Sequence, residues 1–231
     1  MIASPPVPGS TSDVDDDKRI AAEFAATLVE DGMRLGLGTG STVAYLLPAI
    51  AARHLSLRCV ATSIRTQEQA RSLGLEVESF EGTQGLDRLD LAIDGADQVD
   101  DAGWIVKGGG AAHTREKRVA ATAERFVVIV DPSKLVQRVH PPVPLELMAF
   151  GLAATLRDLG NVTLRDVPRS PDGGIIADFQ AEVGDPRSLA TRFDAVPGVV
   201  AHGLFPPEMT AEVVIGRGGE VERRTVGSRE P

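Results

Sequence analysis

The sequence predicts an α/β protein: a Rossmann-like, doubly wound, mostly parallel sheet with a second, smaller ferredoxin-like α+β domain. Short apolar runs alternate with helix-period segments from Lys18 to Lys134, and strands separated by helices join through right-handed crossovers into a parallel sheet. Those runs end repeatedly in glycines or polar side chains, where open α/β sheets bind ligands. Beyond the proline-rich HPPVP at 140–144 the pattern changes to a β-α-β-β-α-β order, the split ferredoxin-like unit.

From Lys18, IAAEFAATLVEDG has the apolar spacing of an amphipathic helix closed by Gly32, and MRLGLG follows as a short strand. GLGTGST is a glycine-rich turn into the helix VAYLLPAIAARH. LRCVATS is a strand, TQEQARSLG a helix with Gly74 as its C-cap, and LDLAIDGAD a strand ending in carboxylates. WIVKGGG is a further strand running into glycines, AAHTREKRVAATAE a helix, and RFVVIVDPSK a buried strand. In the small domain VPLELMAF, NVTLRDV, GGIIADFQAEV and VVAHGLF are strands, with GLAATLRDLG and PRSLATRFDAVPG as helices. AEVVIGRGGEVERRTV has the form of a hairpin that returns to the first domain. The expected division is therefore a disordered acidic tail at 1–17, a Rossmann-like catalytic domain at 18–140 with 208–231, and the small domain at 141–207.

With 231 residues and 42% apolar composition, the chain can bury one substantial core with a smaller one beside it. Its 33 acidic against 24 basic residues, a formal charge of −9, exclude a general nucleic-acid or anionic-membrane binder. One cysteine, Cys59, leaves no intrachain disulfide framework and no cysteine-rich metal site, which fits a reducing cytoplasm and a buried structural thiol. The first residues lack the apolar core of a signal peptide, and no apolar run approaches the roughly 20 residues of a membrane span.

The strand ends hold the candidate chemistry. GLGTGST, with Thr39, Gly40, Ser41 and Thr42, can cradle a phosphate through close backbone approach, helix-terminal amides and hydroxyls, although a plain structural turn has the same look. A dinucleotide fingerprint is excluded, because Ser41 stands at its third glycine and no acid follows Thr62 and Ser63; a Walker A loop would need a lysine before Ser41. DGAD sets Asp94 and Asp97 on one turn, either a shared site or two turn caps. Lys107 precedes three glycines that remove any side chain able to block a ligand. On a helix at about 100° per residue, Ala112, Val119, Ala120 and Ala123 fall within about 60° of Glu116, which puts a carboxylate in the apolar stripe. Burial there would raise its pKa toward general-base duty. Two aspartates, a lysine and a desolvated glutamate suit proton transfer at a carbon beside a carbonyl; His54, His113, His140 and His202 are scattered without metal-ligand spacing.

Taken together, GLGTGST, IDGAD and KGGG followed by REK resemble the blocks of the ribose-5-phosphate isomerase type A family, in order and separation, from about Lys18 to the C-terminal hairpin. The resemblance implies that Glu116 is the base shuttling a proton between C2 and C1 through an enediolate. It implies that Asp94, Asp97 and Lys107 assist ring opening and stabilise that intermediate, with Gly95, Ala96, Gly108, Gly109 and Gly110 lining it. Thr39, Gly40, Ser41 and Thr42, together with Lys134 and Lys18, correspond to phosphate and sugar contacts. It further implies a sugar-phosphate substrate, no metal or organic cofactor, and a homodimer or homotetramer. Two departures stand out: Gln98 replaces the acid of the usual DGADE and removes a charge beside the site, and His113 and Thr114 stand where leucine is common, off the Glu116 face. Two rivals use related folds. A sugar-phosphate sensor domain would need a DNA-reading helix-turn-helix, for which the acidic N-terminus is too short; an acyl-CoA transferase-like enzyme would form a covalent glutamyl adduct.

Overall fold

The computed structural model describes residues 11–227. In chain order its first elements are α1 (Thr11–Ala26), β1 (Arg34–Leu37), α2 (Val43–Ala51), β2 (Arg58–Ala61), α3 (Ile64–Ser72), β3 (Leu89–Asp94), β4 (Gln98–Asp100) and β5 (Ile105–Val106). Next come α4 (His113–Thr122), β6 (Ala123–Val130), β7 (Leu135–Val136), β8 (Val143–Leu147), α5 (Leu152–Leu159), β9 (Val162–Leu164) and β10 (Ile175–Phe179). The chain closes with α6 (Pro186–Ala195), β11 (Val199–His202), β12 (Leu204–Phe205), β13 (Glu212–Arg217) and β14 (Glu220–Thr225).

Six strands form the central sheet in the order β14-β13-β6-β3-β1-β2, with every neighbouring pair parallel except the β13/β14 hairpin. Its apolar strands are covered on both faces, as buried parallel sheets require. Along β6, Val127 and Ile129 join the cluster under α1 and α2, while Phe126, Val128 and Val130 join a second cluster with Val119 and Ala120 of α4. The second lobe is a four-stranded antiparallel sheet in the order β11-β8-β10-β9, and Phe179, Leu189 and Phe193 share a core with Trp104, Val106 and Val139 of the first domain. Mixed α/β architecture with a separate antiparallel sheet is the expected fold class.

Three local expectations are corrected. Residues 11–17, expected in a disordered tail, belong to α1, which begins at Thr11 rather than near Lys18; residues 1–10 lie outside the described part. The acidic run favours a helix start because aspartates there oppose the positive end of the helix dipole, and Asp15 and Asp16 pair with Lys18 and Arg19 one turn on. Asp17 then docks on the hairpin by accepting the Gly218 N–H at 2.7 Å.

Secondly, WIVKGGG does not join the parallel sheet. Ile105–Val106 pairs antiparallel with β4 and β12, and β7 completes this third sheet in the order β12-β5-β4-β7. The short span from Asp100 to Ile105 cannot hold a parallel crossover, which takes a dozen or more residues. Thirdly, VVAHGLF breaks at Gly203 into β11 and β12. A Cβ at Gly203 would collide with the Lys107 carbonyl, while the Gly203 N–H donates to Pro144 O at 2.7 Å and its carbonyl accepts from Lys107 N at 2.9 Å. The strand switch therefore fixes the backbone from which Lys107 projects.

Candidate active site

The carboxyl ends of β1 and β3, the glycine turn after β5 and the first turn of α4 meet around a cleft of about 110 Å³. It is lined by Thr39, Gly40, Ser41, Thr42, Gly95, Ala96, Asp97, Lys107, Gly108, Gly109, Gly110, Glu116 and Lys134. Larger clefts open elsewhere, one of about 520 Å³ between α5 and α6 of the second lobe, but volume alone makes no site. Two residues expected at the site stand outside the lining. Asp94 lies behind it against Lys107, and Lys18 pairs with Asp15 at 3.3 Å within α1.

Close approach of β1 to β3 builds the rear wall. A Cβ at Gly38 would collide with the Asp94 side chain, so only glycine permits this spacing. Asp94, 3% exposed, accepts from Thr39 N at 3.0 Å and Gly95 N at 2.7 Å. Its Oδ2 lies 3.0 Å from Lys107 Nζ, which also donates to Gly95 O and stands 3.5 Å from Glu116 Oε1. Burial pushes the Asp94 carboxyl upward, against the pull of Lys107 and the two amides. Burial alone would lower the Lys107 amine, but the Asp94 and Glu116 carboxylates outweigh it and raise its pKa.

Glu116 is 5% exposed and its Oε2 has no hydrogen-bond partner. Burial lifts its pKa to about 8, helped by the charges of Asp94 and Asp97 and opposed by Lys107. One ammonium between two buried carboxylates holds one of them ionised; the proton shared by the rest is available near neutrality. Asp97 sits at the mouth, accepting from Gly109 N at 2.7 Å.

The opposite end of the cleft is built for an anion. First-turn amides of a helix lack intrahelical partners and carry the positive end of its dipole. Thr42 precedes α2 without a side-chain cap, and Lys134 also lines the cleft. The Thr39 hydroxyl is engaged with Thr62, Ser63 and Thr66 at 2.8, 2.8 and 3.1 Å, which anchors the loop to the β2 end. That anchoring role of Thr62, Ser63 and Thr66 was not evident from the strand-end pattern. Among the described residues no cluster of His, Cys, Asp and Glu has the geometry to hold a metal ion.

The departures from the usual blocks also find their places. Gln98 does not face the cleft: its amide accepts from His140 N and donates to His140 O, both at 2.9 Å, and so ties β4 to the chain entering the second lobe. His113, expected off the Glu116 face, is instead buried with Glu116, Val119 and Ala120 on the packed side of α4, three residues being about 60° on a helix; its ring makes no well-formed hydrogen bond, and burial drops its pKa to about 3. Thr114 donates to Glu146 of β8.

The model for ribose 5-phosphate isomerase A (phosphoriboisomerase A) matches residues 58–220, well over half of the chain. The chain belongs to this family. A ribose-5-phosphate isomerase A from Halobacterium salinarum is 44% identical over 203 residues, covering 82% of this chain and 88% of the relative. One from Lacticaseibacillus paracasei is 41% identical, covering 86% and 92%. Among solved structures, ribose 5 phosphate isomerase A from Neisseria gonorrhoeae superposes with a TM-score of 0.87 at 30% identity, covering 92% of this chain and 97% of that one. A D-ribose-5-phosphate isomerase in complex with phospho-erythronic acid superposes with a TM-score of 0.85 at 31% identity, covering 92% and 99%.

Proposed function

We propose that the protein interconverts ribose 5-phosphate and ribulose 5-phosphate, with Glu116 as the proton-transferring base. The observation that carries this reading is the unpartnered Oε2 of Glu116, a buried carboxylate on a cleft that also holds Lys107 and an anion-binding end. The phosphate sits at the start of α2, held by amides and hydroxyls of Gly40, Ser41 and Thr42 and by Lys134. Asp97, at the mouth, assists ring opening, and Asp94 acts from behind the lining by holding Lys107. Glu116 then removes the proton on C2 of the open-chain aldose, and the electrons of that bond pass through the new C1–C2 double bond to the C1 oxygen. Of the three N–H donors of Lys107, those toward Gly95 and Asp94 are closely bonded. The third, now 3.5 Å from Glu116, is the one to stabilise the enediolate oxygen. Glu116 returns its proton to C1, the C2 hydroxyl gives up a proton to become the ketone, and the C1 oxygen gains one.

Phospho-erythronic acid, bound by a relative, pairs a phosphate with a planar carboxylate similar in shape and charge to an enediolate. It is the natural probe for this cleft. The reading extends to a division of labour, with 18–140 and 208–231 carrying the chemistry beside an accessory lobe at 141–207, and to a cytoplasmic homodimer or homotetramer. No helix among the described residues is long and apolar enough to cross a membrane. Phe150, 89% exposed, with exposed Met148 just after β8 and exposed Val200 at the bulge of the adjoining β11, gives the second lobe an apolar patch that such an assembly would cover; sedimentation analysis tests the assembly. For the chemistry, the purified protein is incubated with ribose 5-phosphate in D₂O. Ketose formation with deuterium entering C1 is expected, and a folded protein giving neither would remove the isomerase reading.

A further inference from the structure

A side chain of the second lobe grips the glycine turn of the cleft. Arg165 follows β9, and its Nη1 donates to Gly108 O at 2.8 Å and to Gly109 O at 3.1 Å. The other side of the same guanidinium is locked to Asp178 of β10, through Nε at 2.7 Å and Nη2 at 2.6 Å. Both side chains are largely buried, 17% and 15% exposed, so this fork is shielded from solvent. The turn it grips has reason to need a restraint: Gly108 stands at φ +108° and Ala111 at +61°, a conformation unfavourable for alanine. On the other side of the turn, Gly109 N–H donates to Asp97 at 2.7 Å, and a Cβ at Gly109 would meet Asp97 Oδ1 at 2.7 Å. A continuous run therefore joins Asp178, Arg165, the Gly108 and Gly109 peptide groups, and Asp97.

We infer that Arg165 is a positioning residue, a clamp from the second lobe that holds the glycine turn, and through it Asp97, in the geometry needed for isomerisation. This rests on the isomerase reading above. Arginine suits the task because one planar fork can bridge a carboxylate and two carbonyls at once; the point charge of lysine cannot. The clamp leaves the phosphate end at α2 untouched, so its loss acts on turnover more than on substrate capture.

The test is steady-state kinetics with ribose 5-phosphate on the wild type, Arg165→Lys, Arg165→Ala and Asp178→Asn, each also followed by thermal unfolding. Misplacement of reacting groups by about 1 Å costs up to about a hundredfold, so the Arg165 variants should lose roughly ten- to a hundredfold in kcat while KM stays within about threefold. Arg165→Lys should fare little better than Arg165→Ala, and added guanidinium ion should restore part of the kcat of Arg165→Ala. Asp178→Asn, which keeps the fork but loosens its anchor, should fall between them and the wild type. Unchanged kcat in folded Arg165→Ala would overturn the clamp, as would full activity with lysine or activity loss that follows lowered stability without guanidinium rescue. A wild type that does not isomerise would instead sink the reading on which the clamp rests.

Discussion

Lys107 and Lys117 make an instructive pair. Both amines approach the Phe205 ring, at 6.0 and 5.1 Å from its centroid, and burial disfavours the charge on each. Lys107 stands between Asp94 and Glu116 and its pKa is raised; Lys117 is lowered to about 7 by burial, with only Asp194 opposing. The amine of Lys117 meets the His202 ring at 3.2 Å, and that ring is turned toward Asp194 at 3.3 Å. His202 Nδ1 accepts from Leu204 N, which leaves its proton on Nε2. Similar burial thus gives a fixed cation inside the cleft and a near-neutral amine beside it. Carboxylates in contact make the difference, and Glu116 is the one that adjoins both lysines, through space and through sequence.

Removing the carboxylate should have the largest effect. Glu116→Gln should keep binding phospho-erythronic acid, measured by calorimetry, and lose about 10²–10⁴-fold in kcat, the contribution of a positioned base. Near-native turnover would take Glu116 out of that role. Lys107→Met comes next, at about 10²–10³-fold in kcat, the usual cost of one oxyanion donor. It should also lower unfolding stability by about 3–5 kcal/mol, because two buried carboxylates lose their counter-ion; loss of activity without any loss of stability would contradict the buried triad. The dependence on pH is gentler. A base must be ionised, and Glu116 is raised to about 8, so kcat/KM should climb about tenfold per pH unit below that value and level off above it. A profile flat from about pH 6 to 9 would mean that the titration of Glu116 does not limit catalysis.

Much of this was legible in the sequence because it is local. Period and punctuation mark the strands of the central sheet, and the helical arc through Ala112, Glu116 and Val119 singles out the buried carboxylate. The lining residues lie at strand ends, where the fold itself collects them. What escaped is long-range. Arg165 reaches Gly108 and Gly109 from 56 or 57 residues away, with no local motif to announce it. Lys18 has the right composition around it, yet α1 runs further toward the N-terminus and gives it Asp15 instead. Gln98 reads as a lost charge beside the site, whereas its amide is used on the backbone of His140, because β4 turns into a sheet that periodicity did not reveal.

The smallest expected effect on turnover sharpens the contrast between the lysines most directly. Lys117→Met keeps the apolar stem against Phe205 and removes the amine, so kcat should stay within about twofold, since uniform packing changes leave transition-state contacts alone. Stability should change with pH instead. The folded pKa of about 7 lies below the ordinary 10.5, so the unfolded chain binds this proton more tightly. The wild type therefore carries the full penalty below about pH 7 and loses it as pH rises toward 10.5. Lys117→Met should gain on the order of a few kcal/mol over wild type at about pH 6, and less than about 1 kcal/mol at about pH 10, by urea unfolding. His113 and His202, both lowered to about 3 by burial, stay neutral across that window, and Glu116 titrates in both proteins, so the difference isolates Lys117. An equal gain at both pH values would mean that packing, not charge, separates the two lysines.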